Sequence, residues 1–233
     1  MKWLVDCCDV AIPLAPQPSV PLTGDRTSAP EIAIEECGEA LINVAEHLST
    51  YWVYSWLGFS SLPNGLLLRE GVVERLVLAK ESLPDDFDLV VMDGWRSRVF
   101  QKELFRYYEM EYGADVRGFV SEAGVKAVPP HTTGGAVDLT LAWRGAPLGL
   151  GTDFDAFTTT AAGNASEESD SGPRIVRELR RLLAGTLLKV GLAPYPLEWW
   201  HWSYGDQLWA ATNRAPVAVY GEVSELPLWG HSG

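Results

Sequence analysis

The chain has 233 residues, 47% of them hydrophobic and 21% charged, with a formal net charge of -13. That size and balance suit an ordinary globular protein of one large domain or two small ones, and exclude a disordered chain. So large an acidic surplus gives no general attraction for phosphate backbones or anionic lipid, so neither nucleic acid nor membrane is expected as a partner.

At the N-terminus, Asp6 and Asp9 break the apolar run before it reaches signal-peptide length. No later stretch approaches the roughly 18 to 20 apolar residues of a membrane span. Cys7, Cys8 and Cys37 are odd in number, lack Cys-x-x-Cys spacing and lie far from the histidines, so reduced thiols are expected rather than disulfides or a zinc-thiolate site. Together these features predict a cytoplasmic protein. Residues 10 to 31 hold Pro13, Pro16, Pro18, Pro21 and Pro30, which forbids a long helix and predicts a proline-rich N-terminal arm over residues 1–30.

Further along, Ile34, Leu41, Val44 and Leu48 give residues 31 to 49 partly helical spacing, and the aromatic stretch 51 to 62 reads as a strand. Leu66 to Ser82 is the clearest amphipathic helix, with Leu68, Val72, Leu76 and Ala79 on one face and Pro84 beyond its end. Phe87–Met92 reads as a buried strand closed by the turn residues Asp93-Gly94, and Arg98–Tyr112 as a helix stopped near Gly113. Residues 116 to 130 are irregular, and Pro129-Pro130 forces extended backbone before His131.

Val137–Trp143 is rich in β-formers and predicts a strand, whereas 148 to 171 predicts a long loop. Arg174–Val190 has a second helical stripe, Leu197–Tyr204 predicts a strand, and Asp206–Thr212 a short helix. No repeat or linker divides the chain. The expectation is a single α+β domain over residues 1–233, a central antiparallel sheet flanked by helices.

The residues with chemistry cluster in two places. His131 and Asp138 stand seven positions apart across the flexible Gly134-Gly135 pair; Glu198 and His201 stand three apart among tryptophans. Two histidines and one carboxylate form a known catalytic zinc set, and a second carboxylate can act as base. Taken singly, His131 is more often a turn histidine, Asp138 a strand-start residue and Glu198 a surface carboxylate. Positions i and i+3 share a helix face but point to opposite faces of a regular strand, so Glu198 and His201 reach one ion only if their strand ends, twists or bulges. Arg96, just after a buried strand and a turn, sits where functional residues are often found. Tyr51 and Trp56 suit a pocket wall or the core equally. His47 and His231 read as structural or exposed. Neither a Gly-rich phosphate loop nor a Gly-x-Ser-x-Gly elbow occurs.

His131 to Asp138 (His-x-x-Gly-x-Ala-x-Asp), Glu198-Trp199-Trp200-His201, Asp93-Gly94-Trp95-Arg96 and Gly151-Thr152-Asp153-Phe154-Asp155 together resemble the zinc D-alanyl-D-alanine dipeptidases, the D,D-peptidase family that includes the VanX-type enzymes. The resemblance runs from about residue 51 to 209. It implies one zinc ion per chain held by His131, Asp138 and His201 at the sheet, with Glu198 as general base and Arg96 stabilising the developing oxyanion. It also implies that Asp155 meets the free amino end of a dipeptide, beside the candidate wall residue Tyr51.

Two positions depart from the pattern: Ser97 replaces a proline, and Pro129 replaces a serine that also contacts the amino end. The expected activity is hydrolysis of D-Ala-D-Ala or a similar D,D-dipeptide, a cell-wall precursor, in glycopeptide resistance or in recycling. The alternatives are a zinc D,D-carboxypeptidase or other amidase on longer or acylated substrates, favoured by Pro129, and a binding module with a retired site. Oligomeric state is left open.

Overall fold

The computed structural model describes residues 2–19, 32–113, 128–168 and 172–224. In chain order its first half contains β1 (Val5–Asp6), β2 (Leu41–Asn43), β3 (Ser49–Thr50), β4 (Leu67–Arg69), α1 (Glu70–Glu81), β5 (Phe87–Asp93) and α2 (Arg98–Tyr112). Then come β6 (Ala136–Trp143), β7 (Ala146–Gly149), α3 (Ala165–Glu168), α4 (Arg174–Lys189), β8 (Ala193–Tyr195), β9 (Glu198–Ser203) and α5 (Gln207–Asn213).

The strongest sequence signals produce the central elements. β6 is buried along its whole length, and it is the hub of the sheet. Strands run β1-β7-β6-β5-β3, while β9 also pairs with β6, and β8 with β9. β7 takes the last residues of β6 and β9 takes the first three, so both share one edge of the hub.

The α+β class holds, but the sheet is mixed rather than purely antiparallel. β1–β7 and β3–β5 pair in parallel. Both parallel partners are two-residue edge strands drawn from the N-terminal third, where no hairpin turn dictates direction.

α1 packs against α4, and these helices also contact β5 and β6 respectively. Their stripes supply core residues such as Val72, Leu76, Leu179 and Leu183, and Phe100 and Leu104 of α2 join the same core. α2 and α4 keep their expected starts, and Gly113 ends α2 with φ of 72°. α1 starts later than expected, because Leu67–Arg69 pairs with β2 as β4 instead.

No α-helix forms over 32–49. Gly38 adopts φ of 76°, and Asn43 accepts from the Ala45 amide to start a 3-10 turn over Val44–Glu46. Stretch 51–62 is likewise not a strand but contains a 3-10 turn over Val53–Trp56. The long loop after 148 begins as β7 and later holds a 3-10 turn (Thr159–Ala161) and α3.

Of the N-terminal arm, residues 20–31 lie outside the described residues, as do 114–127 of the irregular stretch. Among the described residues, no helix is long and apolar enough to cross a membrane.

Candidate metal and catalytic site

Strand register assembles the site. A bulge near the end of β5 brings Asp93 opposite Asp138 of β6, and Asp138 in turn faces His201 of β9. Three polar side chains therefore form one row across three strands, all buried at 5% exposure or less. The i, i+3 problem is resolved by a second irregularity. Pro194 of β8 faces Trp202, yet the next residue, Tyr195, faces Glu198, so β9 bulges over residues 199–201. That bulge carries Glu198 round to within 3.8 Å of His201 Nδ1.

His131 arrives from outside the sheet, in a 3-10 turn (Pro130–Thr133) that runs into β6 through Gly134. Gly134 has φ of 73°, and a Cβ there would stand 2.3 Å from the Leu41 side chain, so both backbone conformation and space favour glycine. The turn is tied to the β5 exit in both directions: His131 Nδ1 lies 2.8 Å from the Gly94 carbonyl, and the Arg96 amide donates to the His131 carbonyl at 3.1 Å. Donation from Nδ1 leaves His131 Nε2 facing the row as a lone pair.

His131 Nε2 lies 3.2 Å from His201 Nδ1 and 3.4 Å from Asp138 Oδ2, while His201 Nδ1 lies 3.0 Å from Asp138 Oδ1. One ligand atom from each of the three residues lies within 4.8 Å of the others, and the 3.2 Å between the two ring nitrogens is close to the edge of about 3.3 Å expected for tetrahedral zinc with ligands at about 2.0 to 2.1 Å. Among the described residues, His201 Nε2 is buried without a hydrogen-bond partner. Burial alone would raise the Asp138 carboxyl, but the adjoining His131 and His201 hold it well below the usual carboxylate range. Burial lowers His201, favouring the neutral, ligating ring. The donor set fits a divalent ion.

Arg96, 6% exposed, stands beside this set. Its Nε donates to Asp93 Oδ2 at 2.6 Å, Nη1 to Gln101 Oε1 at 3.3 Å, and Nη2 lies 3.5 Å from both Asp138 Oδ2 and the Tyr54 hydroxyl. Burial works against its charge, yet the Asp93 carboxylate outweighs this and keeps the guanidinium firmly protonated. Asp93 itself is pushed up by burial despite that partner.

Across the cleft, Asp155 adopts φ of 55°, a left-handed conformation uncommon outside glycine. Its Oδ2 accepts from Tyr54 at 2.7 Å and from Tyr108. Burial pushes its carboxyl up to about 7.

One cleft, partly open to solvent, unites His131, Asp138, His201, Glu198, Arg96 and Asp155. Pro129, Phe157, Tyr195 and Leu208 supply much of its apolar wall.

Tyr51, expected at the pocket, does not line it. Its amide continues the pairing with β5 by donating to the Val91 carbonyl, and its ring packs edge-on against Trp56, itself largely exposed. The following 3-10 turn aims Tyr54 inward instead. Sequence reasoning missed Tyr54, Tyr108 and Gln101; the only hint was Tyr54 in the same aromatic stretch.

Asp6, Cys7 and Cys8 also come close together, but burial pushes the Cys7 thiol up to about 12, which leaves a poor ligand. His47 is exposed, and His231 lies outside the described residues.

The peptidase M15 family model, D-ala-D-ala dipeptidase, matches residues 67–218. The "D-alanyl-D-alanine dipeptidase" of Synechocystis sp. (strain ATCC 27184 / PCC 6803 / Kazusa) is 27% identical over 234 residues, covering 82% of this chain and 95% of its own. Among solved structures, a VanY D,D-pentapeptidase variant from a VanB-type resistance cassette in complex with Zn(II) aligns at 17% identity and TM-score 0.43, over 82% of this chain and 96% of its own. The D,D-dipeptidase VanXYg with a D-Ala-D-Ala phosphinate analog aligns at 20% identity and TM-score 0.40, over 76% and 62%.

Proposed function

The chain belongs to the D-ala-D-ala dipeptidase family of M15 peptidases, whose model spans residues 67–218, and from that premise we propose that it is a zinc enzyme cutting D-Ala-D-Ala or a close D,D-dipeptide. The observation that carries this reading is the convergence of His131, Asp138 and His201, with ligating atoms within 4.8 Å of one another, in the cleft that also holds Glu198 and Arg96. A binding module has no chemical need for a base and a guanidinium beside a metal set, and the family match also favours an enzyme, so the binding-module alternative is set aside.

Zinc held by the three ligands would acidify a water molecule and polarise the scissile carbonyl. Glu198, close to His201 but outside the ligand set, takes the water's proton and delivers it to the leaving amine. Arg96 offers Nη2 to the oxygen on which negative charge builds, while Asp93 and Gln101 hold its other nitrogens in place. Asp155, fixed by Tyr54 and Tyr108, meets the substrate ammonium. A cytoplasmic location belongs to the same proposal, supported by the free state of Cys7, Cys8 and Cys37.

Pro129 favours a second reading. It lines the cleft without an N–H or hydroxyl, so amino-end recognition has lost one contact and an acylated substrate meets less selection. Alanine release from D-Ala-D-Ala and from its N-acetyl form decides between the two. Zinc-loaded protein is expected to cut the free dipeptide alone, and Glu198→Ala to retain zinc while losing about 10²- to 10⁴-fold in kcat. Cleavage of the acylated form would establish the carboxypeptidase reading. Failure on both, or loss of zinc from Glu198→Ala, would overturn the assignment.

A further inference from the structure

Arg180 of α4 is 5% exposed, yet among the described residues it has no carboxylate as a hydrogen-bond partner. Its Nε donates to the Leu150 carbonyl at 2.8 Å, Nη1 to Ala162 at 2.7 Å and Nη2 to Thr160 at 2.9 Å. The guanidinium carbon lies 6.0 Å from the Trp199 ring centroid. All three carbonyls belong to the one segment that carries Asp155. Burying an arginine is costly, and an apolar side chain would fill the same space more cheaply. What the guanidinium adds is a planar fork of donors in fixed directions, which can hold both ends of one loop at once.

That loop needs holding. Between β7 and α3 its only regular piece is the 3-10 turn Thr159–Ala161, and Asp155 sits within it at a left-handed φ of 55°. A strained residue persists only where its surroundings over-determine it. Other anchors act at single points inside the loop: the Trp3 and Leu4 amides donate to Asp153 at 2.7 and 3.0 Å, Trp199 Nε1 to Thr152 Oγ1 at 2.8 Å, and Tyr54 and Tyr108 to Asp155 itself. Among the described residues, Arg180 is the side chain whose hydrogen bonds span from residue 150 to 162.

We infer that Arg180 is a positioning residue for recognition of the dipeptide's amino end: it draws both ends of the 150–162 loop onto α4 and so sets where Asp155 stands in the cleft. The inference rests on the reading of Asp155 as the group that meets the amino end. Burial lowers the guanidinium only to about 10, so Arg180 stays charged through the neutral range and acts as a fixed anchor.

The test compares zinc-loaded parent, Arg180→Lys and Arg180→Ala. Lysine keeps the charge but concentrates its donors at one point, so it cannot serve three separated carbonyls. With Asp155 displaced, KM for D-Ala-D-Ala should rise by about tenfold to a hundredfold in both variants while kcat stays within about threefold. Zinc content should equal that of the parent. Guanidinium chloride at low, non-denaturing concentration should restore KM in Arg180→Ala and leave Arg180→Lys unchanged.

Amide exchange read by mass spectrometry supplies an activity-free arm: residues 150–162 should exchange faster in both variants, with β5, β6 and β9 unaffected. A parent-like KM in a folded variant, a loss confined to kcat, or unchanged exchange at 150–162 would overturn the inference. A parent that leaves D-Ala-D-Ala uncut would sink the functional reading instead, and with it the substrate role of Arg180. The exchange arm would still decide whether Arg180 holds the loop.

Discussion

Asp155 shows how much one carboxylate depends on its immediate donors. Burial raises it to about 7, while hydrogen bonds from Tyr108 and Tyr54 pull the other way. Its ionisation therefore falls in the neutral range, and KM for an ammonium-bearing dipeptide should fall as pH rises from 6 towards 8. Above that the substrate's own amino group, with a pKa of about 8, begins to lose its charge. Tyr54 is itself pushed up by burial and by Asp155, so it remains a donor throughout this range. Tyr54→Phe keeps the ring in a site that is 1% exposed and removes only the hydroxyl. The carboxyl then ionises less readily, and KM at pH 6.5 should rise about five- to tenfold with kcat near the parent's, the gap closing by pH 8. Steady-state KM against pH for both proteins checks this; superimposable curves would mean Tyr54 does not support Asp155.

Helix starts and strand registers decide what those side chains can reach, and Ser97 is the element-scale case. It caps α2, its hydroxyl accepting from the Phe100 amide at 3.1 Å, directly after Arg96. Ser97→Ala should cost about 1 kcal/mol of stability in urea melts with little change in kcat, because Arg96 is held independently by Asp93 and Gln101. The backbone there has φ of -60°, which suits a proline ring, so Ser97→Pro should be less harmful than the alanine change. If proline proves the worse of the two, the φ match is not what governs this position.

The same scale shows what could be read in advance. α2, α4, β5 and β6 follow from local periodicity, and the convergence of His131, Asp138 and His201 was expected from the family likeness. The 32–62 stretch did not: its short pieces are fixed by pairing with distant β4 and β5, which no local pattern encodes. Likewise the β9 bulge, the inward turn of Tyr54 and the reach of Arg180 to residue 150 arise only when remote segments meet.

Over the whole molecule, the acidic excess of -13 and the buried carboxyls both shape stability against pH. Asp206 is 1% exposed and caps α5 by accepting from the Trp209 amide at 2.8 Å. Burial pushes it from 3.8 up to about 6. The folded state thus holds this proton more tightly than the unfolded chain. The corresponding stability is fully present below about pH 4 and is lost as pH rises through about 6, an effect of about 3 kcal/mol. Asp155 acts with the same sign up to about 7, whereas Asp138, held low by its histidines, contributes stability that is lost only in acid.

Surface self-repulsion also grows as carboxyls ionise, so the parent's slope alone cannot identify a source. Asp206→Asn separates the terms. Asparagine caps a helix about as well as aspartate and cannot ionise, so it deletes the Asp206 contribution and leaves the rest in place. Urea unfolding should give the variant an advantage of about 1 kcal/mol at pH 4.5 that grows to about 3 kcal/mol at pH 8. The same difference at both pH values would assign the effect to packing or hydrogen bonding around the cap, and would leave the surface charge as the cause of the parent's decline.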